Sequence, residues 1–510
     1  MKIRPIYISL FLVLVLSVLF GLTFISTESV IDKGQFKEDG FVLSNFTLKY
    51  PTYQKFIYTV HDSVFPQKEF KQVTSNVKPI EENEILVTDT IVFDTISNKP
   101  VVKAKRLDFN TIDTTLIERI SYPDSIDFVS NLYNDLVSHS CRILHYGDSQ
   151  LEGDRITAYL RNRLQTTFGG SGPGFMPLKP VYNQSSAVVI PSDNWLRYAR
   201  FDPTQEKFDH KKYGAFMSVS RFTPYVSYTG DSLKNTIDSL KLVRASVKIG
   251  KSNNTYIKFR RFTKIDLHYG NAIAPVTITV RNNGNIIQQD SLQTDGKYHT
   301  YAIRLPSTPT NLNIEFEAKI SPDFYGITLD GHHGVQIDNI AMRGSSGTIF
   351  ASTNAVNYSQ MMRALQPKLV IMQYGGNTVP YLKDSIAVQN YTKYVIAQVN
   401  WMRRRTIKDP NFLFIGPTDM CTPINGEMTT YPLLPYLNKE LRKNCLENNI
   451  AYWSMYDAMG GQGSMIYWVD QKLAANDYTH FTRRGTKIIS ELLFTALYLD
   501  LKKHDPNAIL

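Results

Sequence analysis

Arg142-Ile143-Leu144-His145-Tyr146 is a short apolar run that leads into Gly147-Asp148-Ser149, and from there the periodicity changes. Ile156, Leu160, Leu164 and Phe168 fall four apart, the spacing of one helical face. Arg142 to Phe168 therefore reads as strand, turn, helix, with Ser149 where the strand ends and the helix begins. A hydroxyl in that position has free backbone N–H groups beside it and the positive end of a helix dipole behind it. This suits a nucleophile whose attack creates an oxyanion. It suits a plain N-cap equally well, so the decision falls to the rest of the chain.

Upstream, Ile126, Val129, Tyr133, Leu136 and Val137 mark a helix that feeds this strand. Downstream, Gly169-Gly170-Ser171-Gly172-Pro173-Gly174 is a loop without the spacing of a dinucleotide-binding turn. From Val181 to Leu329 the style is β: Ala245 to Ile249, Lys264 to Tyr269 and Val276 to Val280 alternate or run apolar, with turn signals such as Asn282-Asn283-Gly284 between them. Short, regular strands of this kind predict an inserted β-sandwich over 181–330. After it, α/β alternation returns. Strands are expected at Gly334–Ala341, Lys368–Gln373, Phe412–Ile415 and Ile450–Trp453, with helices between them and a closing helix marked by Ile488, Leu492, Ala496 and Leu497. The sum is α/β: five strands in an open parallel sheet, its parts 122–180 and 331–510 separated by the insertion.

The N-terminal part differs. Lys2 and Arg4 precede an unbroken apolar run from Ile6 to Ile25, about the ~20 residues that span a bilayer. Residues 1–27 read as an uncleaved signal anchor, with the remainder exported and the catalytic domain outside the cytoplasm, periplasmic or extracellular. Residues 28–121, rich in Thr, Val, Asp and Lys, read as a stalk or linker with short β-like pieces such as Thr90-Ile91-Val92-Phe93, a small independent β domain being the alternative.

Composition excludes little but directs attention. Apolar residues are 43% and charged residues 20%, ordinary for a globular chain, and the formal net charge of +10 carries no long basic block. That balance favours anionic surfaces such as a cell-wall polymer; no nucleic-acid reader motif is present. Cys141, Cys421 and Cys445 are too few and too scattered for a disulfide framework, and buried free thiols are expected.

Sites of open α/β sheets form at the carboxyl ends of strands. Four loops there hold chemistry: Ser149; Arg343-Gly344-Ser345-Ser346-Gly347; Gly375-Gly376-Asn377; and Asp477-Tyr478-Thr479-His480. Acyl transfer needs a nucleophile, a base, an orienting group and oxyanion donors. Ser149 can attack, His480 can take its proton, and Asp477 can hold the imidazole tautomer. The Ser149 and Gly344 backbone N–H groups and the Asn377 amide can supply the oxyanion hole. Each signal alone has a bland reading, as a turn, a cap or a chance spacing. Their joint placement on one sheet edge is what carries weight. No Gly-x-Ser-x-Gly elbow occurs. His332-His333, Asp419 and Glu427 could line a pocket but read as solvated surface residues. Trp195, Tyr198, Tyr213 and Phe216 could stack on sugars but read as core.

These four blocks, in this order, resemble the SGNH (GDSL-type) hydrolases. Gly147-Asp148-Ser149-Gln150, Gly153-Asp154, Leu160-Arg161, Leu164-Gln165 and Phe168-Gly169, with Met459-Gly460-Gly461-Gln462-Gly463-Ser464-Met465 and Trp468, resemble the bacterial peptidoglycan O-acetylesterases, which carry a carbohydrate-binding-like β module between their first and second blocks. The resemblance covers Ser121 to Leu510. It implies a flavodoxin-like sheet, no cofactor and no metal, with Ser149, Asp477 and His480 as the triad and Gly344 and Asn377 lining the oxyanion hole. Gln150 and Thr378 depart from the common pattern. The implied activity is removal of O-acetyl groups from a cell-envelope glycan. Two alternatives stay open: an O-acetyltransferase working with a membrane acyl-donor protein, and a non-catalytic glycan-binding protein.

Overall fold

In the computed structural model of the chain, the residues described are 5–25, 27–29, 38–43, 46–49, 67–80, 90–93, 100–103 and 111–505, the last without 183, 226, 228–236 and 407. The chain forms two units, Met1–Glu69 and Phe70–Leu510. In the first, a 21-residue helix covers Pro5–Ile25. Strands Thr27–Ser29, Glu38–Leu43 and Phe46–Lys49 form a three-stranded antiparallel sheet there. The transmembrane expectation is not supported: among the described residues no helix is long and apolar enough to cross a membrane. The side chains at either end of the apolar run lie outside the described residues.

The centre of the second unit is the five-stranded sheet. Its strands are β1 (Ser140–Gly147), β2 (Gly334–Ala341), β3 (Leu369–Gln373), β4 (Asn411–Ile415) and β5 (Ala451–Trp453). They lie in the order β2-β1-β3-β4-β5, all parallel. This is the flavodoxin-like order, whose switch point falls between β1 and β3. The longer helices that flank it are α1 (Phe128–Leu136), α2 (Arg155–Phe168), α3 (Ala355–Leu365), α4 (Ser385–Arg403), α5 (Leu434–Glu447) and α6 (Arg483–His504).

Successive strand residues point to opposite faces, and both faces are covered. Ile143, Ile371, Leu413 and Ile415 join one core with Leu132, Leu160 and Leu492 of α1, α2 and α6. Leu144, Val370, Met372, Phe412 and Phe414 join a second core with Met361, Val395 and Leu441 of α3, α4 and α5. Burial on both faces is why these strands read as continuous apolar runs. Val77, Ile117 and Ile120 are also buried in the first core, and Ser121 pairs with Tyr452. The segment read as stalk therefore contributes its last residues to the sheet domain. Within it, Thr90–Phe93 pairs with Pro100–Lys103.

The insertion is two antiparallel sheets, one six-stranded and one five-stranded, with strands from Gly174–Met176 to Asp323–Asp330. Their facing sides enclose Trp195, Val247, Ile278, Ile314 and Phe324. Tyr198, Tyr213 and Phe216 lie in the second core instead, packed with Tyr146 and Tyr358 against the sheet domain. All four aromatics are buried, so the core reading of them holds. Arg142 on β1 grips Asp338 of β2 at 2.7 and 2.8 Å and also pairs with Asp330 at the insertion's end, which ties the module to the sheet. The three cysteines are free and buried, and burial pushes the Cys141 and Cys421 thiols up to about 12.

Several motif residues prove to be structural. Asp154 and Arg161 form a buried ion pair at 2.6 Å, and Arg161 Nε donates to the Ile337 carbonyl at 2.6 Å, which fastens α2 to β2. Gln165 donates to the Gly172 and Val335 carbonyls, each at 3.1 Å. In the later block, the Gly463 N–H donates to Thr430 Oγ1 at 2.8 Å and the Met465 N–H to Asp419 at 2.8 Å.

Candidate active site

β1 ends at Gly147, where a Cβ would stand 2.6 Å from Leu151 Cδ1, so the tight turn into Asp148-Ser149 needs glycine. The turn is not the direct strand-to-helix junction that the pattern predicts. A 3₁₀ segment, Ser149–Asp154, intervenes, broken by Glu152 and Gly153, and α2 begins only at Arg155. Asp148 caps the segment by accepting from the Gln150 N–H at 3.0 Å. The backbone N–H groups near Ser149 therefore belong to a short turn, and the dipole of α2 starts beyond it.

The last loop lies between β5 and α6. Asp477 Oδ1 accepts from the Thr479 and His480 N–H groups, both at 3.0 Å, and Tyr478 takes φ 51° to close the turn. Asp477 Oδ2 stands 2.7 Å from His480 Nδ1, and His480 Nε2 stands 2.8 Å from Ser149 Oγ. A carboxylate only accepts, so Nδ1 carries the proton and Nε2 is left as the acceptor for the serine hydroxyl. Partial burial pushes the Asp477 carboxyl up. The backbone N–H of His480, its ring N–H and the backbone N–H of Thr479 outweigh that and leave it below the ordinary carboxylate value, hence ionised at neutral pH.

The switch-point crevice supplies the other side. Gly375 takes φ 126° against the Pro417 ring, a close approach that excludes a side chain. Asn377 follows, and its amide nitrogen donates to Asp148 Oδ2 and to the Ser345 carbonyl, each at 3.1 Å. Both amide hydrogens therefore have acceptors, and Asn377 can meet an oxyanion only by sharing one of them. The Ser149 and Gly344 N–H groups have no protein acceptor among the described residues. Gly344 (φ 74°) lines an open cavity of about 590 Å³ with Ser149, Asn377 and His480. Gly347 instead packs on the Tyr374 ring. A deeper cavity of about 270 Å³ beside Ser149 is lined by Tyr374, Pro417, Met420 and the exposed Tyr381. Burial pushes the Asp148 carboxyl up to about 6, opposed by the Gln150 N–H and the His480 and Arg155 charges.

Other residues singled out from sequence are not brought here. His332 and His333 precede β2, at the amino end of a strand whose eight residues put them on the order of 20 Å from its carboxyl end. His332 Nε2 lies 3.0 Å from Thr263 Oγ1. Asp419 is buried and spent on Thr430, Ser464 and Met465, and Glu427 is exposed on the hairpin strand Glu427–Thr430.

Two residues with structural reach were not found as such. Gln150, noted only as a departure, donates from Nε2 to the Thr479 carbonyl at 2.7 Å and so links the Ser149 turn to the Asp477–His480 loop. Arg155 does the same from its guanidinium, donating to the carbonyls of Ser149 at 2.5 Å and Phe481 at 3.3 Å. Side-chain-to-carbonyl braces of this kind have no sequence signature, because carbonyls are present at every residue.

No protein-family model and no curated protein matches the chain. Among solved structures, a peptidoglycan O-acetylesterase superposes with TM-score 0.58 at 21% identity, over 75% of this chain and 99% of that one. The likeness to that esterase is one of fold. A family two carbohydrate esterase from Cellvibrio japonicus matches with TM-score 0.23 at 11% identity, over 62% of this chain and 100% of that one. An acetyl xylan esterase matches with TM-score 0.25 at 12% identity, over 32% of this chain and 81% of that one.

Proposed function

We propose that the chain is an exported serine esterase that removes O-acetyl groups from a cell-envelope glycan of the peptidoglycan type, with Ser149, His480 and Asp477 as its triad. The supporting observation is the run of contacts from Asp477 Oδ2 to His480 Nδ1 at 2.7 Å and from His480 Nε2 to Ser149 Oγ at 2.8 Å. The run bridges 331 residues of sequence and opens on a cavity that can admit an ester. Export rests on Lys2, Arg4 and the apolar run after them. The glycan class rests on likeness of fold to a peptidoglycan O-acetylesterase and on the motif blocks shared with that group.

In this reading His480 Nε2 takes the Ser149 hydroxyl proton as Oγ attacks the acetyl carbonyl. The Ser149 and Gly344 N–H groups receive the oxyanion, and Asn377 shares one amide hydrogen with it. His480 passes the proton to the departing sugar oxygen, leaving an acetyl ester on Ser149. Water, deprotonated by the same imidazole, attacks that ester; acetate leaves and the hydroxyl is restored. Asp477 stays ionised throughout and stabilises the imidazolium.

The test is acetate release from O-acetylated peptidoglycan. Ser149→Ala is expected to lower it by at least about 10⁴-fold, and undiminished release would remove the assignment. If a supplied acceptor glycan gains O-acetyl groups in place of free acetate, the same triad works as an acyltransferase.

A further inference from the structure

The cavity at Ser149 does not end there. Across Glu152, Tyr182, Arg343 and Gly344 it continues into a second cleft of about 340 Å³, whose far wall belongs to the inserted module. Tyr182 and Phe201 line that cleft and give it apolar faces of the kind that sugar rings pack on. Its charged residues are mostly spent. Arg343 pairs with Glu152 at 2.6 Å and lies 4.6 Å over the Tyr182 ring. Asp202 accepts from the Thr204 N–H at 3.0 Å and the Thr204 hydroxyl at 2.7 Å.

Arg197 is the exception. It sits on the strand Leu196–Ala199, lines the cleft, and its guanidinium lies 5.4 Å over the Phe201 ring. Its Nε is buried without a hydrogen-bond partner, and among the described residues it makes no ion pair. Burial holds its pKa below the ordinary arginine value, against the opposing fields of Asp202, Tyr182 and Glu152. A half-buried guanidinium whose Nε has no hydrogen-bond partner and which makes no close ion pair keeps donors free for a ligand. Its planar fork of donors matches a carboxylate or a phosphate. One uncommitted positive charge, with Asp202 and Glu152 in the same cleft, suits a monoanion and disfavours a doubly charged phosphate.

We propose that this cleft binds a carboxylate carried by the acetylated glycan, with Arg197 as its counterion, so that the site selects acidic over neutral acetylated glycans. The proposal rests on the esterase reading for its link to Ser149, although the cleft can be tested without turnover. The carboxylate has two chemical sources: a uronic acid within the sugar chain, or the free carboxylate of a peptide attached to it.

The experiment uses the full chain. Ser149→Ala protein is titrated calorimetrically with three deacetylated ligands, a neutral oligosaccharide, a uronic-acid oligosaccharide and a muropeptide, with and without Arg197→Gln. The expected result is binding of one acidic ligand at least about 10-fold tighter than the neutral one, the excess being lost in Arg197→Gln. Which acidic ligand shows the excess identifies the source. With active enzyme, Arg197→Gln is expected to raise KM for the matching acetylated substrate about 10- to 100-fold and to leave turnover of 4-nitrophenyl acetate unchanged. Equal affinity for neutral and acidic ligands, or an acidic preference that survives Arg197→Gln, overturns the proposal. Ser149-independent turnover of 4-nitrophenyl acetate alongside Arg197-dependent binding would sink the triad and leave the cleft standing. If Arg197→Gln lowers thermal stability, Arg197→Lys keeps the charge without the fork and is expected to restore part of the preference.

Discussion

Asp148→Asn separates two effects that a carboxylate in this position combines. Asp148 is buried beside Ser149, accepts from the Gln150 N–H at 3.0 Å and holds Asn377 at 3.1 Å. Burial raises its pKa from 3.8 to about 6. The folded state therefore binds this proton more tightly than the unfolded chain does. Below about pH 4 both states carry the proton and there is no penalty. As pH rises through 6 the folded state must ionise a buried group, and stability from this source is lost. A little over two pH steps, each worth about 1.4 kcal/mol, put the loss at ~3 kcal/mol. Asparagine cannot ionise but can still accept from the Gln150 N–H. We expect Asp148→Asn to gain ~3 kcal/mol on the wild type between pH 4 and pH 7. We also expect it to turn over about 10-fold more slowly: with its one carbonyl oxygen on the Gln150 N–H, the new amide turns an NH2 toward the Asn377 NH2, and Asn377 loses that acceptor. Urea unfolding of both proteins at pH 4, 5, 6 and 7 measures the first effect. A stability difference that stays constant across that range would refute the reasoning, since it would mean that Asp148 titrates alike in both states.

Four further outcomes are expected. Gln150→Ala, which cuts the link to the Thr479 carbonyl, should cost about 1–2 kcal/mol of stability in urea unfolding. It should also lower kcat more than it raises KM, because the two loops lose register. Arg155→Ala removes the brace between the Ser149 and Phe481 carbonyls and should lower kcat about 10-fold or more in steady-state kinetics. Tyr381→Ala, at an exposed ring on the rim of the deeper cavity, should raise KM for polymeric glycan about 2- to 10-fold without affecting 4-nitrophenyl acetate. Gly147→Ala drives a methyl group against Leu151 and should destabilise by about 1–3 kcal/mol in the same unfolding assay.

The sheet was legible because burial on both faces forces long apolar strands, and Ile143-Leu144, Leu369 to Met372 and Phe412 to Ile415 could be read directly. Covalent order then placed Ser149 and Asn377 at neighbouring strand exits, and folding brings His480 to Ser149. What was not legible depends on partners that sequence order does not name. His332-His333 borders the second block in sequence, yet an eight-residue strand puts it at the other end of the sheet. The 3₁₀ segment after Ser149 hides behind the helical spacing of Ile156 to Phe168. Gln150 and Arg155 act on carbonyls, and Arg197 stands out only because its buried Nε has no hydrogen-bond partner. Asn377 carried the expected donor chemistry, but the spacing could not reveal that Asp148 and the Ser345 carbonyl engage both of its hydrogens.

The most direct measurement is where a serine-reactive fluorophosphonate attaches. A nucleophile activated by His480 at 2.8 Å should be phosphonylated at Ser149 in stoichiometric yield, as mapped by peptide mass spectrometry. Labelling should disappear in His480→Ala together with turnover of 4-nitrophenyl acetate. An unlabelled Ser149 in an enzyme that still turns over, or equal labelling in His480→Ala, would contradict the account.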